Sequence, residues 1–208
     1  YDLNLVLPEP LIPREYRYPV KERLLADGSV DTPLNPDDII ELTKDLKAQS
    51  FQSIAVGLLH SYANPVHEQQ IKSLLAEYVP DMLVSLSSDV SPQMREYERF
   101  NTVVANAYVK PIMASYLERL KARLGDHAIT APVFLMHSGG GIMDLESAAA
   151  FPVRLVESGP AGGAIFAADI ASRFGLNRVL SFDMGGTTAK ICLIKDQKPK
   201  TSRSFELA

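Results

Sequence analysis

Asp183-Met184-Gly185-Gly186-Thr187-Thr188 is the stretch on which the reading of this chain turns. Strand-like runs flank it, Arg178 to Phe182 before it and Thr188 to Ile194 after it. The first run reads as a buried strand that delivers an aspartate to its end. Two glycines then let the backbone turn tightly and present its N–H groups. Consecutive exposed N–H groups make a concavity that accepts anions, and Thr187 and Thr188 add hydroxyl donors. An aspartate cannot bind phosphate itself, but it can hold Mg²⁺ through water or orient an attacking group. These are the parts of a phosphate loop. The plainer reading is an ordinary hairpin with a Gly-Gly turn, and the apolar runs on both sides weigh against it. The loop is not a Walker loop, since Lys190 comes only inside the second strand, and it is not a dinucleotide fingerprint, since no helix follows the glycines.

Just upstream, Glu157-Ser158-Gly159-Pro160 opens a helix with Ser158 as its expected cap, ending at Gly175. Gly159, Gly163, Ala167 and Ala171 form a smooth stripe on it, and Gly162, Phe166, Ile170 and Phe174 a larger one. The smooth stripe suits close backbone packing; the helix start could instead receive an anion, and packing is the favoured reading. Two strands are expected before it. Pro132 to Met136 runs into His137-Ser138-Gly139-Gly140-Gly141, and Pro152 to Val156 runs into Glu157. A long helical segment covers Met94 to Leu124, with Phe100, Val104, Tyr108, Ile112, Tyr116, Leu120 and Leu124 at helical spacing. Pro111 should kink or split it.

Further upstream, Asn35-Pro36-Asp37-Asp38 and Asn64-Pro65 are helix starts. Ile39, Leu42 and Leu46 form the first stripe, and Ile71, Leu74, Leu75 and Tyr78 the second. Ser53 to Leu59 and Met82 to Leu86 are strands around the second helix, which implies a parallel pair with a right-handed crossover. Residues 1–34 are Pro-rich, with a turn at Asp27-Gly28 and lone strands that would pair outside the stretch. A domain boundary is expected between Ser87 and Arg95.

The bulk numbers bound the class. The chain has 208 residues, 46% apolar, enough for a sizeable core, and a net charge of −4. Nothing in that balance favours nucleic acid or an anionic membrane as partner. One cysteine, Cys192, excludes an internal disulfide and a cysteine-based zinc cluster, and is compatible with a reducing cytoplasm. No apolar run reaches the roughly 18–20 residues that span a bilayer. The chain starts with Tyr1 and ends at Ala208 just after a strand-like run, so it reads as an internal piece of a longer protein, with a processed chain as the alternative.

Four stretches together resemble the hydantoinase A/5-oxoprolinase family, which also includes acetone carboxylase subunits. They are Leu58-Leu59-His60-Ser61-Tyr62-Ala63-Asn64-Pro65-Val66-His67-Glu68, Met136-His137-Ser138-Gly139-Gly140-Gly141, Glu157-Ser158-Gly159-Pro160-Ala161-Gly162-Gly163 and Phe182-Asp183-Met184-Gly185-Gly186-Thr187. They occur in the family's order and spacing, and the resemblance runs from about Pro19 onward. It implies an α/β protein, the end of one actin-like (ribonuclease H-like) domain, residues 1–90, followed by the start of a second, residues 91–208. A strand–loop–strand phosphate binder points to the same actin-like ATPase architecture.

The resemblance implies ATP and Mg²⁺ as cofactors, with Gly185, Gly186, Thr187 and Thr188 holding phosphate oxygens. Asp183 is the expected catalytic group and the expected holder of Mg²⁺ through water. It implies ATP-dependent opening of a small cyclic amide, N-methylhydantoin first, by phosphorylation of the amide oxygen and attack of water. It also implies a hydantoinase B-type partner subunit or fused domain and a cytoplasmic protein. The alternatives are a 5-oxoprolinase, an acetone-carboxylase-like subunit, and a non-catalytic nucleotide-binding or assembly module. Where many members continue with Ser-Thr-Asp, this chain has Thr188-Ala189-Lys190, which resembles the N-methylhydantoinase branch. His137 stands where relatives often carry Gln. Members carry an earlier Asp-x-Gly-Gly-Thr loop that does not precede Asp183, so these 208 residues alone are expected to show little or no ATPase activity.

The remaining candidates keep two readings each. His60 ends a strand expected to be parallel, where ligand sites cluster, and His67 sits in a first helical turn; hydrogen bonds fixing the strand-to-helix turn are favoured over metal ligation. Ser138 with Gly139, Gly140 and Gly141 is a substrate or phosphate contact, or a plain strand-end turn. Ser138 lacks a serine-hydrolase elbow. Arg95, Glu96, Glu98 and Arg99 read as a solvated charged face with no catalytic role.

Overall fold

A computed structural model describes residues 9–186 and 188–202, and these build an α/β fold from short sheets and helices. The chain divides into two units, Tyr1–Ser115 and Tyr116–Ala208.

The first unit opens with β1 (Arg23–Leu24) and β2 (Val30–Thr32), which pair antiparallel with each other. The expectation that lone strands here pair elsewhere is corrected. Gly28 takes φ +84° in the connecting turn, and the Ser29 N–H and hydroxyl both donate to Asp27 Oδ1, so the hairpin closes locally. Asn35 caps α1 (Pro36–Ala48), its side chain accepting from the Asp37 N–H, with Pro36 first in the helix and Asp37 and Asp38 at the positive end of the dipole. After β3 (Ser53–Val56) comes α2 (Val66–Tyr78), then β4 (Leu83–Leu86), parallel to β3 in the register Ser53 to Leu83 through Val56 to Leu86. Asn64 Oδ1 accepts from the Val66 N–H at 3.1 Å, and its amide group donates to Gly28 O, tying this helix start to the first hairpin. Ile39, Leu46, Ile71, Leu75, Val56 and Leu86 make the core, with Leu42 and Leu74 packed on it. Burying each such side chain contributes roughly 1.5–3 kcal/mol.

A short α3 (Ser87–Val90) leads to α4 (Glu96–Asp126), which runs through Pro111 without splitting. Pro111 has no N–H for the carbonyl four residues back, Ala107 O, and the Ser53 hydroxyl donates there instead at 2.7 Å. The expected apolar stripe of this helix is also out of register. Val103, Asn106 and Ala107 are buried, together with Arg99 and Leu117, whereas Tyr108, Ile112 and Tyr116 are exposed.

The second unit contains β5 (Phe134–Met136) and β6 (Ile142–Asp144), an antiparallel hairpin, then α5 (Leu145–Ala150), capped by Asp144. Pro152–Leu155 is a 3-10 turn, not the strand expected there. Pro152 has no N–H to offer a ladder, and the Arg154 and Val156 N–H groups bond back to Phe151 O and Val153 O. Helix α6 (Ser158–Arg173) packs on a sheet of β7 (Arg178–Met184), β8 (Ala189–Lys195) and β9 (Lys198–Pro199), all antiparallel. Ala168 and Ala171, with Ala167 beside them, meet Val179 and Ile194, and Gly162 meets Met136. The smooth-stripe expectation is therefore shifted. A side chain at Gly159 or Gly163 would meet nothing within 4 Å among the described residues.

Candidate functional site

Strands alternate their side chains between faces. In β7 and β8 the directly opposed pairs include Val179 with Ile194, Ser181 with Cys192 and Asp183 with Lys190. Val179 and Ile194 pack on α6, so Asp183 and Lys190 lie on the α6 side of the sheet. The other face carries Leu180, Phe182, Met184, Ile191 and Leu193, all more than half exposed in the described residues. The strand ahead of Asp183, read from sequence as buried, is thus covered on one face only, because α6 covers just that side.

The hairpin closes with the Gly185 N–H donating to Thr188 O at 3.0 Å. That amide is engaged within the turn. What Gly185 retains is the absence of a Cβ, so that an oxygen can approach the backbone. Among the described residues, Gly186 has nothing within 4 Å of a notional Cβ, which leaves open space over the tip of the turn. Asp183 and Thr188 are exposed, and the Asp183 carboxylate has no hydrogen bond or ion pair among the described residues. Thr187 lies outside the described residues.

At the head of α6, Glu157 occupies the cap position in the left-handed region, φ 63°, with no side-chain cap bond; Ser158, the expected cap, is the first helical residue. Glu157 Oε1 is 2.6 Å from Lys190 Nζ. The structure therefore brings together two motifs that are separate in sequence, Glu157-Ser158-Gly159-Pro160 and Asp183 to Thr188, through an ion pair that sequence reasoning missed. The alternation of β8 gave only the lysine's half of that signal. Lys190 is two and four residues from Cys192 and Ile194, so it shares their face.

The loop from His137 to Gly141 joins β5 to β6 and folds on itself. The His137 N–H donates to Gly141 O, Ser138 N–H to Arg154 O, Gly140 N–H to His137 O, and Gly139 N–H to the His137 ring Nδ1 at 3.0 Å. The ring lies over its own glycines, so a Cβ at Gly139 or Gly141 would come within 2.9 Å or 2.6 Å of it. Gly140 has φ +84°. The amides of residues 137–140 are all engaged inside the unit. This geometry favours the strand-end turn over a backbone phosphate cradle, and leaves the Ser138 hydroxyl and the outer edge of the His137 ring as the groups a ligand could meet.

His60 lies in the turn four residues past the end of β3, in the left-handed region at φ 58°, and not at the strand end expected for it, because the strand stops at Val56. Its N–H donates to Glu96 Oε1 and its Nδ1 is 3.5 Å from the Tyr62 hydroxyl. Beneath this turn is a buried polar hub. Glu68 accepts from the Leu58 N–H, the Ser87 hydroxyl, and the Ser88 N–H and hydroxyl. Arg99 donates to Ser87 Oγ, Gln93 O and Leu58 O, and its guanidinium lies 5.3 Å from the Tyr62 ring centroid. Arg99, read as part of a solvated face, is 1% exposed. Burial works to raise the Glu96 carboxyl, but the backbone donors of Glu96 itself and His60, with Arg99, outweigh it and hold the group below its ordinary value. His67 Nδ1 is 2.6 Å from Glu22 Oε2 in a nearly closed pair. Among the described residues no cluster of three His, Cys, Asp or Glu is placed to hold a metal, and no helix is long and apolar enough to cross a membrane.

Several known proteins resemble this chain in sequence and in fold. An uncharacterised protein of Methanocaldococcus jannaschii is 36% identical over 207 residues, all of this chain and 30% of that protein. The caprolactamase subunit alpha of Pseudomonas jessenii is 32% identical over 206 residues, 99% of this chain and 30% of its own length. The solved structure of the ATP-dependent caprolactamase from the same organism superposes with a TM-score of 0.78, at 31% identity, over 93% of this chain and 28% of that one. A nucleotide-free acetone carboxylase structure, from work on ATP-dependent acetone carboxylation, superposes with a TM-score of 0.80 at 28% identity, over 92% of this chain and 27% of that one. The chain thus spans about 30% of the length of these two curated relatives. Residues 1–79 match the hydantoinase/oxoprolinase N-terminal region and residues 99–208 match hydantoinase/oxoprolinase itself, and with that second match covering more than half of its length the chain belongs to the hydantoinase/oxoprolinase family.

Proposed function

We propose that the intact polypeptide uses ATP to open a small cyclic amide of the hydantoin type, with N-methylhydantoin as the leading candidate. The observation that carries this is the Asp183 hairpin: an exposed carboxylate with no protein partner among the described residues, beside a glycine tip with open space above it. Mg²⁺ bound to a nucleotide keeps several waters and needs only one or two carboxylates from the protein. A single exposed aspartate fits that demand. Gly186 leaves room for a phosphate oxygen, Gly185 lets one approach, and Thr187 and Thr188 add hydroxyls. ATP supplies an activating phosphoryl group for an otherwise unreactive amide; this chain's residues position and shield charge.

The ATP-dependent caprolactamase, similar over nearly the whole chain, supports the amidohydrolase reading. The acetone carboxylase likeness favours a second reading, carboxylation in place of ring opening. The actin-like architecture, with a boundary near residues 87–95, belongs to the same proposal. So do a cytoplasmic setting and a hydantoinase B-type partner subunit or fused domain.

The test is phosphate release by the intact polypeptide with its partner, supplied in turn with N-methylhydantoin, 5-oxoproline, caprolactam, and acetone with bicarbonate. Turnover only with a cyclic amide is the expected result. Turnover only with bicarbonate moves the assignment to a carboxylase. Nucleotide binding without turnover on any substrate moves it to a non-catalytic module.

A further inference from the structure

Lys190 stands directly across the β7–β8 ladder from Asp183. Opposed residues have Cβ atoms about 4.5–5.5 Å apart, well within the reach of a lysine stem, so an ion pair with Asp183 is the nearest option open to its ammonium. The structure shows a different pairing. Lys190 Nζ lies 2.6 Å from Glu157 Oε1, and Glu157 is held in the left-handed region at the head of α6. The Asp183 carboxylate has no partner among the described residues.

We infer that Glu157 is a positioning residue for metal–nucleotide binding: it holds the Lys190 ammonium away from Asp183 and so keeps that carboxylate open to a divalent cation. This rests on the reading of Asp183 as the group facing nucleotide-borne Mg²⁺. The physical argument is a competition for one carboxylate. A divalent cation and an ammonium both neutralise Asp183, and an ammonium already in place must be displaced before the cation is held. Glu157, fixed at a helix head on the same side of the sheet, gives the ammonium an equivalent anion elsewhere. The pair also fastens the hairpin to α6, but fastening alone would make both partners equally necessary. The competition makes them opposite in sign.

The experiment measures binding of Mn²⁺·ATP to the intact polypeptide by electron paramagnetic resonance, in wild type, Glu157→Gln, Lys190→Gln, the double variant and Asp183→Asn. Glu157→Gln is expected to weaken binding about tenfold by freeing Lys190 onto Asp183. Lys190→Gln is expected to bind as tightly as wild type or tighter. In the Lys190→Gln background the Glu157→Gln change is expected to cost under about twofold, since no ammonium remains to compete. An equal cost of Glu157→Gln in both backgrounds would mean simple charge addition and overturn the inference. Weakening by Lys190→Gln comparable to that by Glu157→Gln would assign the pair a purely structural role and overturn it too. Separately, if Asp183→Asn binds Mn²⁺·ATP as wild type does, the metal-facing role of Asp183 is wrong, whatever the other variants show.

Discussion

The Ser53 hydroxyl donates to the Ala107 carbonyl at 2.7 Å, filling the place of the N–H that Pro111 lacks. A helix interrupted by proline loses one internal bond, and the freed carbonyl must find another donor or remain unpaired. Strand β3 supplies that donor, and α4 continues. Ser53→Ala should therefore cost about 1–3 kcal/mol, the penalty for an acceptor left without a partner. Pro111→Ala restores an N–H at the right place. In that background the Ser53→Ala cost should fall to less than half, measured as a double-mutant cycle on urea unfolding. Equal costs in the two backgrounds would show that the hydroxyl is not replacing the missing amide.

Glu68 is completely buried and accepts four hydrogen bonds, from Leu58, Ser87 and twice from Ser88. Glu68→Gln sets an NH₂ group against donors that already point at it, and leaves Arg99 nearby in the same network. Breaking one side of a buried charged network costs about 3–5 kcal/mol. Glu77→Gln, on the exposed side of the same helix, should stay within about 0.5 kcal/mol. The urea midpoints of the two variants decide it, and equal midpoints would remove Glu68 from its place as the anchor of the His60 turn.

The legible parts of the fold are those where local chemistry and packing agree. Asn35-Pro36 capped its helix, and the crossover around α2 produced the parallel register of Ser53 with Leu83. The misread parts are positions where a polar residue takes a core place. Arg99 lies four and seven residues from Val103 and Asn106, all buried, so the inner stripe of α4 begins on a charge. An apolar-periodicity search starts one residue later, at Phe100, and carries the error forward to Tyr108. Glu68 hides in the same way, three and seven residues before Ile71 and Leu75. At the candidate site, Asp183 was placed at a strand end as expected. The Glu157–Lys190 pair was not legible, because it depends on which face of the sheet α6 covers, a tertiary fact that strand spacing alone does not contain.

Glu96 ties the His60 N–H to Arg99, and its carboxyl is held below its ordinary value of 4.5. A lowered folded value means that the unfolded chain takes up the proton first as pH falls. The stabilisation is therefore complete above pH 4.5 and is lost as pH drops through the lower folded value. Exchange protection of the His60 amide should fall across that acid window, and the thermal midpoint with it. Glu96→Gln should lack this component and give a flatter profile there. A Glu96→Gln profile that matches wild type below pH 4.5 would show that the carboxylate does not fasten the turn.

Two glycines in the second unit should respond in opposite ways to the same substitution. Gly140 sits at φ +84°, and a Cβ there would lie 2.9 Å from Ile165 Cδ1. Gly140→Ala must relieve both backbone strain and a clash, and should cost about 1–3 kcal/mol of stability. Gly186 carries neither burden: its notional Cβ meets nothing within 4 Å among the described residues. Gly186→Ala should leave stability within about 0.5 kcal/mol of wild type. The same methyl group would then occupy space over the turn that a phosphate oxygen needs, and nucleotide affinity of the intact polypeptide should fall at least about tenfold, or 1.4 kcal/mol. Calorimetric melting and nucleotide titration on both variants separate the effects. Unchanged affinity in a well-folded Gly186→Ala protein would mean that the open tip is empty surface, and the phosphate assignment of this hairpin would fail.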